Sequence, residues 1–83
     1  MMTQEAIKVL VVDDHPIVRR GLITEINLDR EMVVIGEATD GLEAIDQYQA
    51  LNPDVVLMDI IMPNLDGIQA TEQIIKINPE ARI

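Results

Sequence analysis

Short apolar runs alternate along the chain with longer stretches in which apolar residues return every three or four positions. Ile7-Lys8-Val9-Leu10-Val11-Val12 is nearly continuous, rich in β-branched residues and closed by Asp13-Asp14. It predicts a strand buried on both faces. Pro16 suits the first turn of a helix, where its missing N–H costs nothing. Val18, Leu22 and Ile26 then recur at four-residue spacing as a core-facing stripe, so a first helix is expected to end near Asp29. Met32 to Glu37 predicts a second strand. Asp40-Gly41-Leu42-Glu43 offers an N-cap with an acid three positions later, as in a capping box, opening a second helix that runs to about Leu51. Asn52-Pro53-Asp54 breaks it, and Val55-Val56-Leu57-Met58 is a third strand ending on Asp59. Met62-Pro63-Asn64-Leu65-Asp66-Gly67 reads as a loop before a third helix carrying Ile68, Ile74 and Ile75.

The punctuation repeats: Leu51-Asn52-Pro53-Asp54-Val55 leaves the second helix, and Ile77-Asn78-Pro79-Glu80-Ala81 leaves the third. By that analogy a fourth strand begins at Ala81, and residues 1–83 are expected to be the N-terminal part of a longer domain. The order β-α-β-α-β-α implies an α/β fold with a parallel sheet and right-handed crossovers, so all strand carboxyl ends share one edge. Ligands of such sheets bind at that edge, where the strand order reverses. If the order is 2-1-3, the reversal lies between the first and third strands, which end on Asp13-Asp14 and Asp59.

Composition narrows the chemistry. Fifteen acidic against six basic residues give a net charge of −9. These residues are therefore not expected to grip a nucleic-acid backbone, which requires Lys and Arg to replace counterions. Ile, Leu and Val make up 28 of the 83 residues, enough for a core. With no Cys and one His, disulfides, thiolate metal sites and His-rich zinc sites are excluded, leaving oxygen ligands. No apolar run approaches the roughly 20 residues of a membrane span. The opening Met-Met-Thr-Gln-Glu lacks the basic end and apolar stretch of a secretory signal, so a cytoplasmic location is expected.

Three carboxylates converging at one edge repel, so one keeps a proton or a cation sits among them. Mg²⁺ suits the site because it prefers oxygen ligands and takes one or two carboxylates together with phosphate oxygens. A carboxylate beside Mg²⁺ can attack a phosphoryl group, which makes Asp59 the candidate nucleophile. Either acidic feature alone is compatible with simple turn or cap formation. Acids at the ends of two parallel strands, with a Pro and an Asp-Gly following the second, are harder to explain that way. His15 is read as the N-cap before Pro16, with no chemistry assigned. Arg19-Arg20 is read as a solvated helix face. Tyr48 is expected to pack its ring with its hydroxyl at the surface, and the Met residues to fill core. Dinucleotide and P-loop motifs are absent. A calcium hand centred on Gly67 fails, because Met62 and Gln73 would stand where carboxylates are needed.

Val9-Leu10-Val11-Val12-Asp13-Asp14-His15-Pro16, Pro53-Asp54-Val55-Val56-Leu57-Met58-Asp59 and Met62-Pro63-Asn64-Leu65-Asp66-Gly67 together resemble the receiver domain of two-component response regulators. The Asp13-Asp14-His15-Pro16-Ile17-Val18-Arg19-Arg20-Gly21-Leu22 stretch, with Gly36-Glu37-Ala38 and Ala70-Thr71, is similar to the NarL/FixJ subfamily, whose receivers precede a LuxR-type helix-turn-helix. The resemblance implies the N-terminal half of a flavodoxin-like (βα)5 fold. It implies that Asp59 accepts a phosphoryl group from a phosphohistidine on a sensor histidine kinase, making the chain a signalling domain rather than an enzyme. It also implies that Asp14 and Asp59 ligate Mg²⁺, that Asp13 acts largely through water, and that the Ile61 backbone carbonyl completes the ligand set. Pro63, Asp66 and Gly67 would shape the loop, and DNA would be bound only through an output domain outside this chain. The family's switch uses a Ser or Thr ending the fourth strand and a Lys after the fifth; no Lys follows Lys76 here. Phosphoryl acceptance is therefore expected to be slow. Val55 to Met58 is expected to form an exposed apolar edge prone to self-association or swapping. A non-phosphorylated interaction scaffold and an Asp-nucleophile phosphatase remain as alternative readings.

Overall fold

A computed structural model of the chain describes residues 5–83. The reading of the chain's start as no secretory signal rests mainly on residues outside that range. Among the described residues no helix is long and apolar enough to cross a membrane. The elements run β1 (Ile7–Val12), α1 (Pro16–Leu28), β2 (Met32–Ala38), α2 (Gly41–Leu51), β3 (Val55–Met58) and α3 (Gly67–Ile77). β1 lies central and parallel to both neighbours, giving the order β2-β1-β3. Pairing with β3 is regular from Val9–Val55 to Val12–Met58, whereas pairing with β2 slips after Val9, so that Leu10 faces Gly36 and Ile35 is skipped.

Alternation along β1 divides the core into two layers. Leu10 and Val12 join Ala38, Ala44, Tyr48, Val56, Met62 and Ile74 beneath α2 and α3. Val9 and Val11 point the other way and meet Ile26 of α1, with Ile23, Met32 and Val34 around them.

The helices explain themselves locally to different degrees. Asp66 caps α3 with a complete capping box: its carboxylate accepts from the Gln69 N–H at 2.9 Å, and the Gln69 side chain accepts from the Asp66 N–H. Asp40 caps α2 by accepting from the Glu43 N–H at 2.8 Å. The box expected there is not closed, because the Glu43 carboxylate accepts instead from the N–H of Thr39, one residue upstream. α2 ends on Asn52 in the left-handed conformation, φ 49°, one of the few side chains that tolerate it.

Several sequence expectations are corrected here. Only Ile26 of the α1 stripe is buried; Val18 and Leu22 stay half-exposed, because α1 packs on β1 and β2 and leaves β3 uncovered on this face. In α3, Ile74 and Ala70 face the core, while Ile68 and Ile75 point outward. The Tyr48 ring is buried as expected, but its hydroxyl accepts from Asn78 Nδ2 at 3.0 Å, tying the two helix ends together. Residues Ala81 to Ile83 form no strand; the Arg82 carbonyl nevertheless accepts from the Val56 N–H at 2.9 Å, placing this segment beside the β3 edge.

Candidate functional site

The ends of β1 and β3 are held by the ladder itself. The Asp13 N–H donates to the Ala38 carbonyl at 3.1 Å, and the Asp59 N–H to the Val12 carbonyl at 3.0 Å. Parallel pairing thus carries the side chains of Asp13, Asp14 and Asp59 to one edge, and His15 joins them: one ligand-type atom from each lies within 4.8 Å of the others. Asp13 is buried. Its Oδ1 accepts the His15 backbone N–H at 2.8 Å and lies 3.1 Å from His15 Nδ1.

Asp14 Oδ1 is buried and has no hydrogen-bond partner among the described residues, although His15 Nδ1 stands 3.1 Å away. Nδ1 carries a single hydrogen, and the aligned contact is with Asp13. Asp59 Oδ1 accepts the Ile61 N–H at 3.3 Å, while Oδ2 lies 3.9 Å from the imidazole. His15 occupies the N-cap position but makes no side-chain cap bond, because its ring turns into the acids. Its pKa is raised by the hydrogen bond to Asp13 and then by the charge of Asp14, with smaller charge contributions from Asp13 and Asp59; desolvation opposes them.

The loop after β3 is strapped to its surroundings. The Gly67 N–H donates to the Ile60 carbonyl at 2.8 Å, and a Cβ on Gly67 would stand 2.1 Å from the Asp59 carbonyl oxygen, so only glycine allows the chain to close back this tightly. The Gly41 N–H donates to the Leu65 carbonyl at 2.9 Å. Asn64, at φ 66°, donates from Nδ2 to Asp40 Oδ2 at 2.8 Å. That bond and the cap hold the Asp40 carboxyl below its ordinary pKa, the cap contributing more. Met62 is buried in the α2/α3 layer, while Ile61 and Pro63 are exposed.

Arg19 corrects another expectation. Its guanidinium is not solvated: the side chain is 14% exposed, donating from Nε to Glu37 at 2.7 Å and from Nη1 to the Asp13 carbonyl at 2.8 Å. Arg20 does remain on the surface. The sequence held a faint signal for Arg19, a cation early in a helix whose first turn holds no acidic residue, against the helix dipole. The Asn64–Asp40 strap left no comparable signal, because its partners are 24 residues apart.

An acid cluster with one buried, unpartnered carboxylate oxygen lies at the switch of a parallel sheet, the edge where open α/β sheets bind their ligands, and its oxygen donors suit a hard cation. Comparison with known proteins makes that class specific: the chain matches the response regulator receiver domain over residues 9–83 and belongs to that family. It is 42% identical over 77 residues to the response regulator protein VraR of Staphylococcus saprophyticus, covering 93% of this chain and 37% of that protein. It is 48% identical over 68 residues to the transcriptional regulatory protein LiaR of Bacillus subtilis, covering 82% and 32%. Among solved structures, a LuxR-family two-component response regulator from Aurantimonas sp. SI85-9A1 superposes with a TM-score of 0.90 at 39% identity, over 95% of this chain and 56% of that one. The chain spans about a third of the length of these curated relatives. It is a receiver-type signalling domain of two-component systems, similar to those of LuxR-type regulators.

Proposed function

We propose that this chain binds Mg²⁺ through Asp14 and Asp59, with Asp13 acting largely through water and the Ile61 backbone carbonyl completing the protein ligands, and that Asp59 accepts a phosphoryl group from a sensor histidine kinase. The observation that carries this reading is the buried, unpartnered Asp14 Oδ1 within a cluster that also holds Asp13 and Asp59. Three acidic side chains gather beside a single histidine, and an incoming phosphoryl group adds negative charge there. Mg²⁺, when bound, screens this charge and aligns the phosphoryl oxygens.

The remaining work falls to residues of the chain. Asp59 is held by the Ile61 N–H on Oδ1 and stays partly exposed, accessible from outside. An Asp59 oxygen attacks phosphorus, the P–O bond forms, the P–N bond of the phosphohistidine breaks, and the released imidazole takes up a proton. Gly67 lets the loop return against Asp59, Asp66 anchors the next helix, and Pro63 restricts the backbone between them. Transcriptional output through a LuxR-type DNA-binding domain and a cytoplasmic location are part of this proposal; the first is supported by the likeness to a transcriptional regulatory protein and to a LuxR-family response regulator.

Intact-mass spectrometry after incubation with acetyl phosphate tests it. One phosphoryl adduct that requires both Mg²⁺ and Asp59, absent in Asp59→Asn and in chelated samples, is the expected result. No adduct in folded protein would leave a scaffold that keeps the family's form without its chemistry.

A further inference from the structure

We propose that Arg19 is a positioning residue that aims Asp14 at the cation by anchoring the Asp13–Asp14 peptide. The proposal rests on the metal reading above. Asp14 Oδ1 has no hydrogen-bond partner among the described residues, so no such bond holds it and the backbone that carries it fixes where its side chain departs. That backbone is gripped from two sides. The Asp13 N–H is tied to Ala38 of β2 at 3.1 Å, and the Asp13 carbonyl receives Arg19 Nη1 at 2.8 Å.

The Asp13 carbonyl lies in the rigid plane of the peptide joining Asp13 to Asp14, so anchoring it fixes the orientation from which Asp14 departs. Arg19 is itself oriented, because its planar guanidinium donates from Nε to Glu37 at 2.7 Å while Nη1 serves Asp13. Its low exposure shows a packed brace rather than a mobile surface charge. β2, the β1–α1 loop and α1 are joined at this one side chain.

Two roles for Arg19 predict opposite signs. As a nearby positive charge alone, it repels Mg²⁺, and Arg19→Ala would tighten binding. As a positioning residue its loss misaims Asp14, and binding weakens, by roughly 10-fold on the precedent of residues that orient metal ligands. Calorimetric Mg²⁺ titration of wild type, Arg19→Ala and Arg19→Lys, each confirmed folded by circular dichroism, separates the two. Lys keeps the charge but cannot bridge Glu37 and the Asp13 carbonyl as a fork does, so weaker binding is expected for both variants.

In metal-free protein, NMR should show the Asp13 carbonyl carbon and the Asp14 amide shifting, with Val9 to Val11 unmoved. Wild-type-like affinity in Arg19→Lys, or unchanged or tighter binding in Arg19→Ala, overturns the inference while leaving the metal site intact. Should Arg19→Ala fail to fold, Arg19→Lys alone still decides. Absence of Mg²⁺ binding in wild type would overturn the metal reading and this inference with it.

Discussion

Beneath α2 and α3, Leu10, Val12 and Val56 are sealed from solvent, and both helices begin on carboxylate caps. On the opposite face α1 covers Val9 and Val11 but leaves Leu57 41% and Val18 50% exposed, along a groove of about 480 Å³ that opens onto Asp13, His15 and Asp59. The cap of α1 is unmade, since His15 has turned into the acids. One face is built for stability. The other forgoes a helix cap where His15 turns into the acids, so its local structure follows a contact between elements rather than the preference of the helix end.

The comparison breaks most visibly in the core. Leu10→Ala should cost about 2–5 kcal/mol, with a large fall in the urea midpoint, whereas Leu57→Ala should cost under about 1 kcal/mol because its site is already half open. Equal costs would mean that Leu57 is covered in solution, as by a second copy, which light scattering over a concentration series would reveal.

Glycines sharpen the contrast by sign. Gly41→Ala places a Cβ 2.1 Å from the Leu65 carbonyl oxygen and should destabilise by about 1–3 kcal/mol while loosening the loop that carries Ile61. Gly21, inside α1, has nothing within 4 Å of an added Cβ, so Gly21→Ala should raise the melting temperature, stabilising by about 0.5–1 kcal/mol.

The smallest effect is a pH dependence. Asp40 has a folded pKa below its unfolded value, so its stabilisation is full above the ordinary Asp pKa of about 3.9 and is lost as pH falls through the folded value. Asp40→Asn should flatten that part of the acid-unfolding curve, and a curve unchanged by the substitution would remove Asp40 from the account.

Strand and helix positions were legible because periodicity is a local property: β1 and β3 match their apolar runs, and Asp40 and Asp66 stand where caps are needed. The same local reading misassigned Val18 and Leu22, since a stripe shows that a helix has an apolar side but not whether a neighbour covers it. Sequence motifs brought Asp13, Asp14 and Asp59 forward as a group, because strand ends in a parallel sheet must share an edge. Only the tertiary structure decided that His15 leaves its cap for the carboxylates, that Arg19 reaches back six residues to the Asp13 carbonyl, and that Asn64 closes onto Asp40. These contacts depend on distances between elements set by packing, and no periodicity along the chain encodes them.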